Sequence, residues 1–573
     1  MKRRRVLGTG LGAGWAGAWG GAGLPWLSGV GAAWGASALA GCQPVPTDLA
    51  QRLAHVRGGF AGADMARGHV LRDAAGGRKS GSAPAPAVVR RVHTVIAGGG
   101  VAGLAAARAL RLRGQDDVAL LELEDEAGGN ARGSTLGGLA CPLGAHYLPV
   151  PGDHNPDLQH LLEELGLRRR EAGRWVYDER ALCHSPQERL YFQGHWQPGL
   201  LPTEGVGPDT LAQYRRFAAL VAQAQQTGCY QIPHVLSMPE NASAHVLNGV
   251  DALTLSDYLQ KNGLNDPHLH WYLDYCCRDD YGAGTATVSA WAGLHYFAAR
   301  HGFAVPGGDA GRDEAEREAV LTWPEGNAWL TRRLAQPLGE RLHTGCVVQR
   351  VEVGKHGVAV DALDTRSGQP QRWLARQCVV ALPLHVAARV VVNPPDALRA
   401  AAQHTPHAAW VVTNLHLSEP LADRGGASPA WDNVLYGSAG LGYVNAGHQA
   451  LYVHPRQPVV LSHYRALGAG AAQRADLMAQ AWSHWLHQTV AELLPAHPEL
   501  PQRITQASVA RFGHAMAVPT PGVLGEINRR RSFLKNSLLS KYARLRFAHS
   551  DWAGYSVLEE AFALGHAAGQ APA

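Results

Sequence analysis

The sequence predicts an α/β fold: a parallel-sheet domain assembled from separated segments, joined to a second, α+β domain. Three observations predict it. A short apolar strand runs through a glycine-rich turn into an Ala/Leu-rich helix at 94–112. Alternating strand patterns return at 346–353, 358–362 and 377–382. A further strand, turn and helix close the chain after residue 544.

The first element is Val95-Ile96-Ala97, apolar and partly β-branched, as a buried parallel strand requires. Gly98-Gly99-Gly100-Val101-Ala102-Gly103 follows and matches GxGxxG. In that pattern Gly98 permits the tight turn, Gly100 lets a pyrophosphate approach bare backbone, and Gly103 lets helix and strand pack closely. Val101 and Ala102 open the helix, whose N-terminus presents unpaired amides and a positive dipole end to phosphate. A second strand spans 118–121 and ends at Glu122, 19 residues beyond Gly103, where a ribose-binding carboxylate belongs. The unit is Rossmann-like and implies a bound dinucleotide. A lone GxGxxG would be weak; strand, helix, strand and acid in register are specific.

Further along, 157–167 reads as an amphipathic helix ending at a glycine, and 170–320 is rich in Trp and Tyr with helical patterns at 253–259 and 288–300. Asp251 or Thr254 caps the first of these. A helix runs from 326 to 338. Residues 405–465 read as β-rich, 471–494 as one long helix, 545–548 as a strand and the residues from Val557 as the last helix.

At 573 residues the chain exceeds a single ordinary core. Its net charge of +5 comes from the N-terminus: Lys2, Arg3, Arg4 and Arg5 are the charged side chains before Cys42, and without these four cations +1 remains. Nothing in that balance points to nucleic acid. The basic cluster precedes an uncharged Gly/Ala/Trp-rich stretch, the pattern of an export signal. Arg3-Arg4-Arg5-Val6-Leu7 resembles a twin-arginine signal, and Leu39-Ala40-Gly41-Cys42 resembles a lipobox with Cys42 as lipid acceptor. The expected location is the periplasmic side of a bacterial membrane, with an uncleaved anchor as the alternative. Residues 43–87 read as a connector, and 74–87 as a flexible linker by composition. The seven cysteines after Cys42 show no CxxC metal spacing and no HExxH occurs, so no metal site is expected.

With these pieces in place the chain resembles the flavin-containing amine oxidase superfamily, which includes protoporphyrinogen oxidase and phytoene desaturase. Five segments carry the resemblance: the GxGxxG unit with Glu122; Gly128-Gly129-Asn130-Ala131-Arg132; Pro142 to Tyr147; Trp323 to Asn327 with Val348; and Phe547 to Trp552 with Glu559 to Gly565. The resemblance implies FAD, loaded before export. It implies a Rossmann-like FAD-binding domain built from 88–170, 321–385 and 508–573, and a substrate domain from 171–320 and 386–507. It assigns to the cofactor Gly98, Gly100, Val101, Ala102, Gly103, Glu122, Gly129, Asn130, Arg132, Gly144, Ala145, His146, Val348, Asp551 and Glu559. Asn130 stands where the family carries a pyrophosphate arginine, with Arg132 the candidate for its place, and Glu560 replaces a family glycine.

A flavin carries out redox chemistry itself, while the protein orients the substrate. The resemblance implies hydride transfer from an amine or related small molecule. The lysine of many family amine oxidases is absent from 408–417. His146 and His514 are the ionisable candidates for catalysis, and Trp431, Tyr436, Tyr443 and Tyr452 for an aromatic pocket. A desaturase or isomerase on an apolar substrate, and a non-catalytic FAD-binding lipoprotein, stay open as alternatives.

Overall fold

The computed structural model describes residues 47–70, 88–237, 249–305, 319–449, 456–537 and 540–571. The export signal, Cys42, the 74–87 linker and Tyr452 lie outside them.

Two sheets organise the described chain. In the first, Val88–Ala97 is central and runs parallel to Val118–Leu121 on one side and Pro370–Val380 on the other. Leu342–His343 extends the sheet beyond Val118–Leu121. Pro370–Val380 is long enough to serve two purposes. Its first half pairs antiparallel with Val358–Asp364, which pairs with Cys346–Val353. Its end pairs parallel with Leu545–Phe547, so the last strand of the chain completes the sheet begun at Val88. This is the discontinuous α/β domain that the sequence predicts. Helix Val101–Leu112 lies on the sheet, and its run of buried alanines and Gly103 allows a second layer to sit close. That layer is the terminal helix Leu558–Gln570.

The second sheet has eight strands, in the order Arg57–Ala61, Ile504–Ala517, His407–Leu417, Val459–Gly468, Tyr443–Asn445, Asp432–Leu435, Glu188–Phe192 and His195–Pro198. His407–Leu417 is buried at every position. Its side chains alternate between faces. Ala409 and Val411 pack with Leu477 and Trp485 on one face, while Trp410 and Val412 line a cavity on the other.

Several sequence expectations shift here. The 471–494 segment is two helices, Ala471–Ala479 and Trp482–Leu493, because the extended backbone of Gln480 and Ala481 lets both Leu477 and Trp485 reach the sheet. Arg57–Ala61, inside the expected connector, is a parallel edge strand against Ile504–Ala517. The boundary expected at 508 falls within Ile504–Ala517, which pairs along most of its length with His407–Leu417, so the return to the first sheet comes only at Leu545. Thr254 caps helix Leu255–Lys261 through the Asp257 amide, whereas Asp251 instead accepts the Leu524 amide. No helix among the described residues is long and apolar enough to cross a membrane.

Candidate active site

A cavity of about 480 Å³ runs along the C-terminal ends of the first sheet's parallel strands and on beneath the second sheet. Its first end is a glycine cradle. Gly98 has φ +101°, and a Cβ there would stand 2.3 Å from the Ala381 carbonyl oxygen. A Cβ on Gly103 would meet the Gly98 carbonyl oxygen at 1.9 Å. Gly128 donates to the Gly99 carbonyl at 2.8 Å, which brings the two glycine turns together. Gly129, with φ +57°, then faces Gly100 so closely that its Cβ would lie 3.2 Å from the Gly100 Cα. The result is bare backbone at the N-terminus of a helix, the arrangement a pyrophosphate requires.

Glu122 closes this end. Its Oε2 accepts from the Gly99 amide at 2.7 Å and its Oε1 from the Glu124 amide at 2.9 Å. Burial pushes its carboxyl up, and the two amides act in the opposite direction. Val348 lines the same end. Asn130 fixes the next stretch: its carbonyl accepts the Ala145 amide at 2.9 Å and its side chain donates to the Ala515 carbonyl at 2.8 Å. A Cβ on Gly144 would meet the Asn130 carbonyl oxygen at 2.2 Å.

The far end combines aromatic rings with acids. His146 stacks on Tyr464, with centroids 4.2 Å apart. Trp410, Phe512 and Tyr147 continue the wall. Tyr147 donates its hydroxyl to Asp279 at 3.3 Å. Asp280 is paired with Arg300 at 3.2 Å, and Glu559 also lines this end. Burial, then the neighbouring Asp280, pushes Asp279 up to about 7. Burial pushes His146 down to about 3, so its ring is neutral.

Between the two ends, His514 faces the cavity and stacks on His385 at 4.5 Å. Burial, then His407, brings His514 down to about 4. His407 meets Asp551 Oδ2 at 3.0 Å, an oxygen that also accepts the Leu384 amide at 3.0 Å. Burial opposes ionisation of Asp551, yet His549 and His407 hold it well below the usual carboxylate range.

Of the residues read from the sequence, Gly98, Gly100, Val101, Ala102, Glu122, Gly129, Asn130, Gly144, Ala145, His146, Val348, His514, Asp551 and Glu559 all line this one cavity. Gly103 shapes it from behind. Arg132 does not reach it: the side chain turns back to the Gly129 carbonyl at 3.2 Å and to Glu124 at 3.6 Å. Of the aromatic candidates, Tyr443 is spent on His497 at 2.9 Å and Tyr436 on His268 at 2.9 Å, both outside the cavity lining. Trp431 stands behind His146 at 5.5 Å. All seven described cysteines are free, and the Cys276-Cys277 pair is buried. The missed residues are Tyr147, Asp279, Asp280, Arg300, Trp410 and Tyr464. Asp279-Asp280 had a signal: two adjacent acids at the end of an otherwise aromatic helix, Pro267–Tyr281.

Glycines that no Cβ could replace, a buried carboxylate at the second strand and a long cavity spanning two sheets fit FAD. Fold and site together define an FAD-dependent oxidoreductase. The chain belongs to the flavin-containing amine oxidoreductase family, whose pattern matches residues 101–571. Over 129 residues it is 40% identical to coproporphyrinogen III oxidase of Mycobacterium leprae, a match covering 22% of this chain and 24% of that protein. Among solved structures it is similar to putrescine oxidase bound to putrescine, with TM-score 0.61 and 16% identity over 84% of this chain and 98% of that one. It is also similar to cyclohexylamine oxidase from Brevibacterium oxydans, with TM-score 0.57 and 16% identity over 83% of this chain and 98% of that one. A fatty acid isomerase from P. acnes aligns with TM-score 0.54 and 14% identity over 83% of this chain and 97% of that one. At such identities these structures establish the shared fold.

Proposed function

We propose that this flavoenzyme oxidises a small amine, which enters the aromatic end of the cavity as a cation and is held there by Asp279. The observation that carries this reading is the placement of Asp279 in a wall of Trp410, Tyr464 and Tyr147. An acid against aromatic faces is the environment that attracts an ammonium group. Bound FAD supplies the hydride acceptor. The chain's own residues bind and orient: the Tyr147 hydroxyl fixes the Asp279 carboxylate, and Arg300 is occupied by Asp280 and so leaves Asp279 available. His146, kept neutral, adds a ring to the wall without a repelling charge. His514, also neutral, faces the cavity and adds no repelling charge to it.

The test is anaerobic titration of the purified flavoprotein with primary and secondary amines, read by loss of flavin absorbance. Bleaching by an amine, with Asp279→Asn raising the amine concentration required more than tenfold, is the expected result. A flavin indifferent to every amine but reduced by an apolar substrate would establish the second reading, desaturation or isomerisation. The strand His407–Leu417, which carries no lysine, favours that alternative. We also propose export with lipid attachment at Cys42, supported by the Arg3–Arg5 run and Leu39–Cys42. Replacement of Cys42 by Ala should release the protein from membranes, and unchanged fractionation would overturn the attachment.

A further inference from the structure

Behind the cavity floor, three side chains from separate parts of the chain converge. His385 comes from helix Leu384–Val390, His407 from the start of strand His407–Leu417 and Asp551 from the turn after the last strand. One ligand-capable atom from each lies within 4.8 Å of the other two. We propose that His385, His407 and Asp551 form a binding site for a divalent first-row transition metal, with its open coordination positions toward the cavity.

The spacing supports it. With metal–nitrogen and metal–oxygen bonds of about 2.0–2.2 Å, neighbouring ligand atoms sit roughly 3–3.5 Å apart. His407 Nε2 and Asp551 Oδ2 already stand 3.0 Å apart, joined by a hydrogen bond whose proton a bound metal would displace to solvent. His407 and Asp551 are 5% and 1% exposed, so the pair is shielded from bulk water on the protein side. The third ligand is unengaged: Nδ1 of His385 is buried and makes no hydrogen bond, while its ring stacks on His514 and meets His407 edge-on. A buried imidazole nitrogen without a partner calls for an ion or a water. Two imidazoles and one carboxylate are a donor set suited to divalent first-row metals with positions left open. Asp551 lines the cavity while His385 and His407 do not, so an ion here would face the cavity from the Asp551 side. His549, which also lines the cavity, stands 3.3 Å from the other Asp551 oxygen. The ligands come from three stretches more than 20 residues apart, which is why no HxH or HExxH spacing announced them.

The experiment uses the tag-free flavoprotein, stripped with a chelator and titrated with Zn2+ against a chromophoric competitor, with flavin content measured in parallel. One equivalent of tightly held Zn2+ per chain is expected. His385→Ala, which leaves the His407–Asp551 pair intact, and the more conservative His385→Gln should both weaken it by more than about 100-fold, since loss of a ligand exceeds the 10–100-fold cost of losing an outer partner. Unchanged thermal unfolding in either variant confirms that the fold is kept. A wild-type protein that holds no tight equivalent, or variants that hold it as tightly as wild type, would overturn the site. Because the metal is counted directly, that failure is distinct from any failure of the flavin reading.

Discussion

Gly565 of the terminal helix lies against the Ala102 carbonyl, so close that a Cβ would come within 2.1 Å of the oxygen. One turn later Gly569 repeats the relationship against Ala106, at 2.5 Å. Ala102 lines the cavity, so the last helix of the chain presses directly on the helix whose N-terminus forms the glycine cradle. Gly565→Ala must separate the two helices. It should lower stability by about 1–3 kcal/mol, the usual cost of overfilling a packed contact, and lower the flavin content of the purified protein. Thermal unfolding and the flavin-to-protein absorbance ratio report both, and a variant with unchanged values would show that the contact is looser than described.

Glu122 holds two amides, those of Gly99 and Glu124, while sitting at the glycine-cradle end of the cavity. Glu122→Ala leaves both buried donors without an acceptor, at about 1–3 kcal/mol each. Glycine turn and second strand lose their tie, and FAD should dissociate on the order of 10–100-fold more readily, since each 1.4 kcal/mol is a factor of ten. Glu122→Gln keeps one acceptor and should fall between. Equilibrium dialysis of FAD against the two variants separates these outcomes, and undiminished retention in Glu122→Ala would remove the residue from the cofactor site.

The cofactor end was legible in the sequence because its chemistry is local. Gly98 to Gly103 and Glu122 are brought together by backbone geometry that a short pattern fixes. The aromatic end was not legible. Asp279, Tyr147, Trp410 and Tyr464 come from four elements, and only the pairing of His407–Leu417 with Val459–Gly468 sets Trp410 and Tyr464 near one another. Aromatic residues at strand spacing do not declare which face they point to. Tyr436 and Tyr443 show the ambiguity, being taken up by His268 and His497 away from the cavity. Arg132 fails for a related reason. Its charge is matched by Glu124, a residue whose proximity follows from the sheet and not from the Gly-Gly turn.

Asp279 makes the pH behaviour specific. Burial and Asp280 raise its carboxyl to about 7 in the folded protein. An acid with a raised folded pKa contributes stability that is complete below its unfolded value, near 4, and lost as pH rises through 7. Asp279→Asn should therefore flatten the decline in melting temperature between about pH 4 and 7. Amine binding runs the other way, because a cation needs the ionised carboxylate. The amine KM should fall as pH rises through about 7 in the wild type and stay high and pH-independent in Asp279→Asn, with kcat less affected. A wild-type KM that ignores pH across this range would separate Asp279 from substrate binding.

Glu492 gives the opposite dependence, far from the cofactor. It is buried with His463 at 3.1 Å, Arg465 at 2.5 Å and the Gly440 amide at 3.0 Å. Burial would raise its carboxyl, but His463, Arg465 and that amide outweigh burial and hold it at about 2. The sign follows: an acid whose folded pKa is depressed stabilises the fold above its unfolded value, near 4.5, and that stability is lost as pH falls from there toward 2. Glu492→Gln leaves His463 and Arg465 of strand Val459–Gly468 without their shared carboxylate, and breaking a buried pair from one side costs about 3–5 kcal/mol. The expected result is a variant much less stable than wild type at pH 7, with the gap narrowing as pH falls below about 4. Denaturant unfolding at pH 7 and at pH 4 measures it. A gap that is small at pH 7, or that does not narrow with acid, would mean that the ion cluster contributes little and that packing of Trp482–Leu493 on the sheet holds this region.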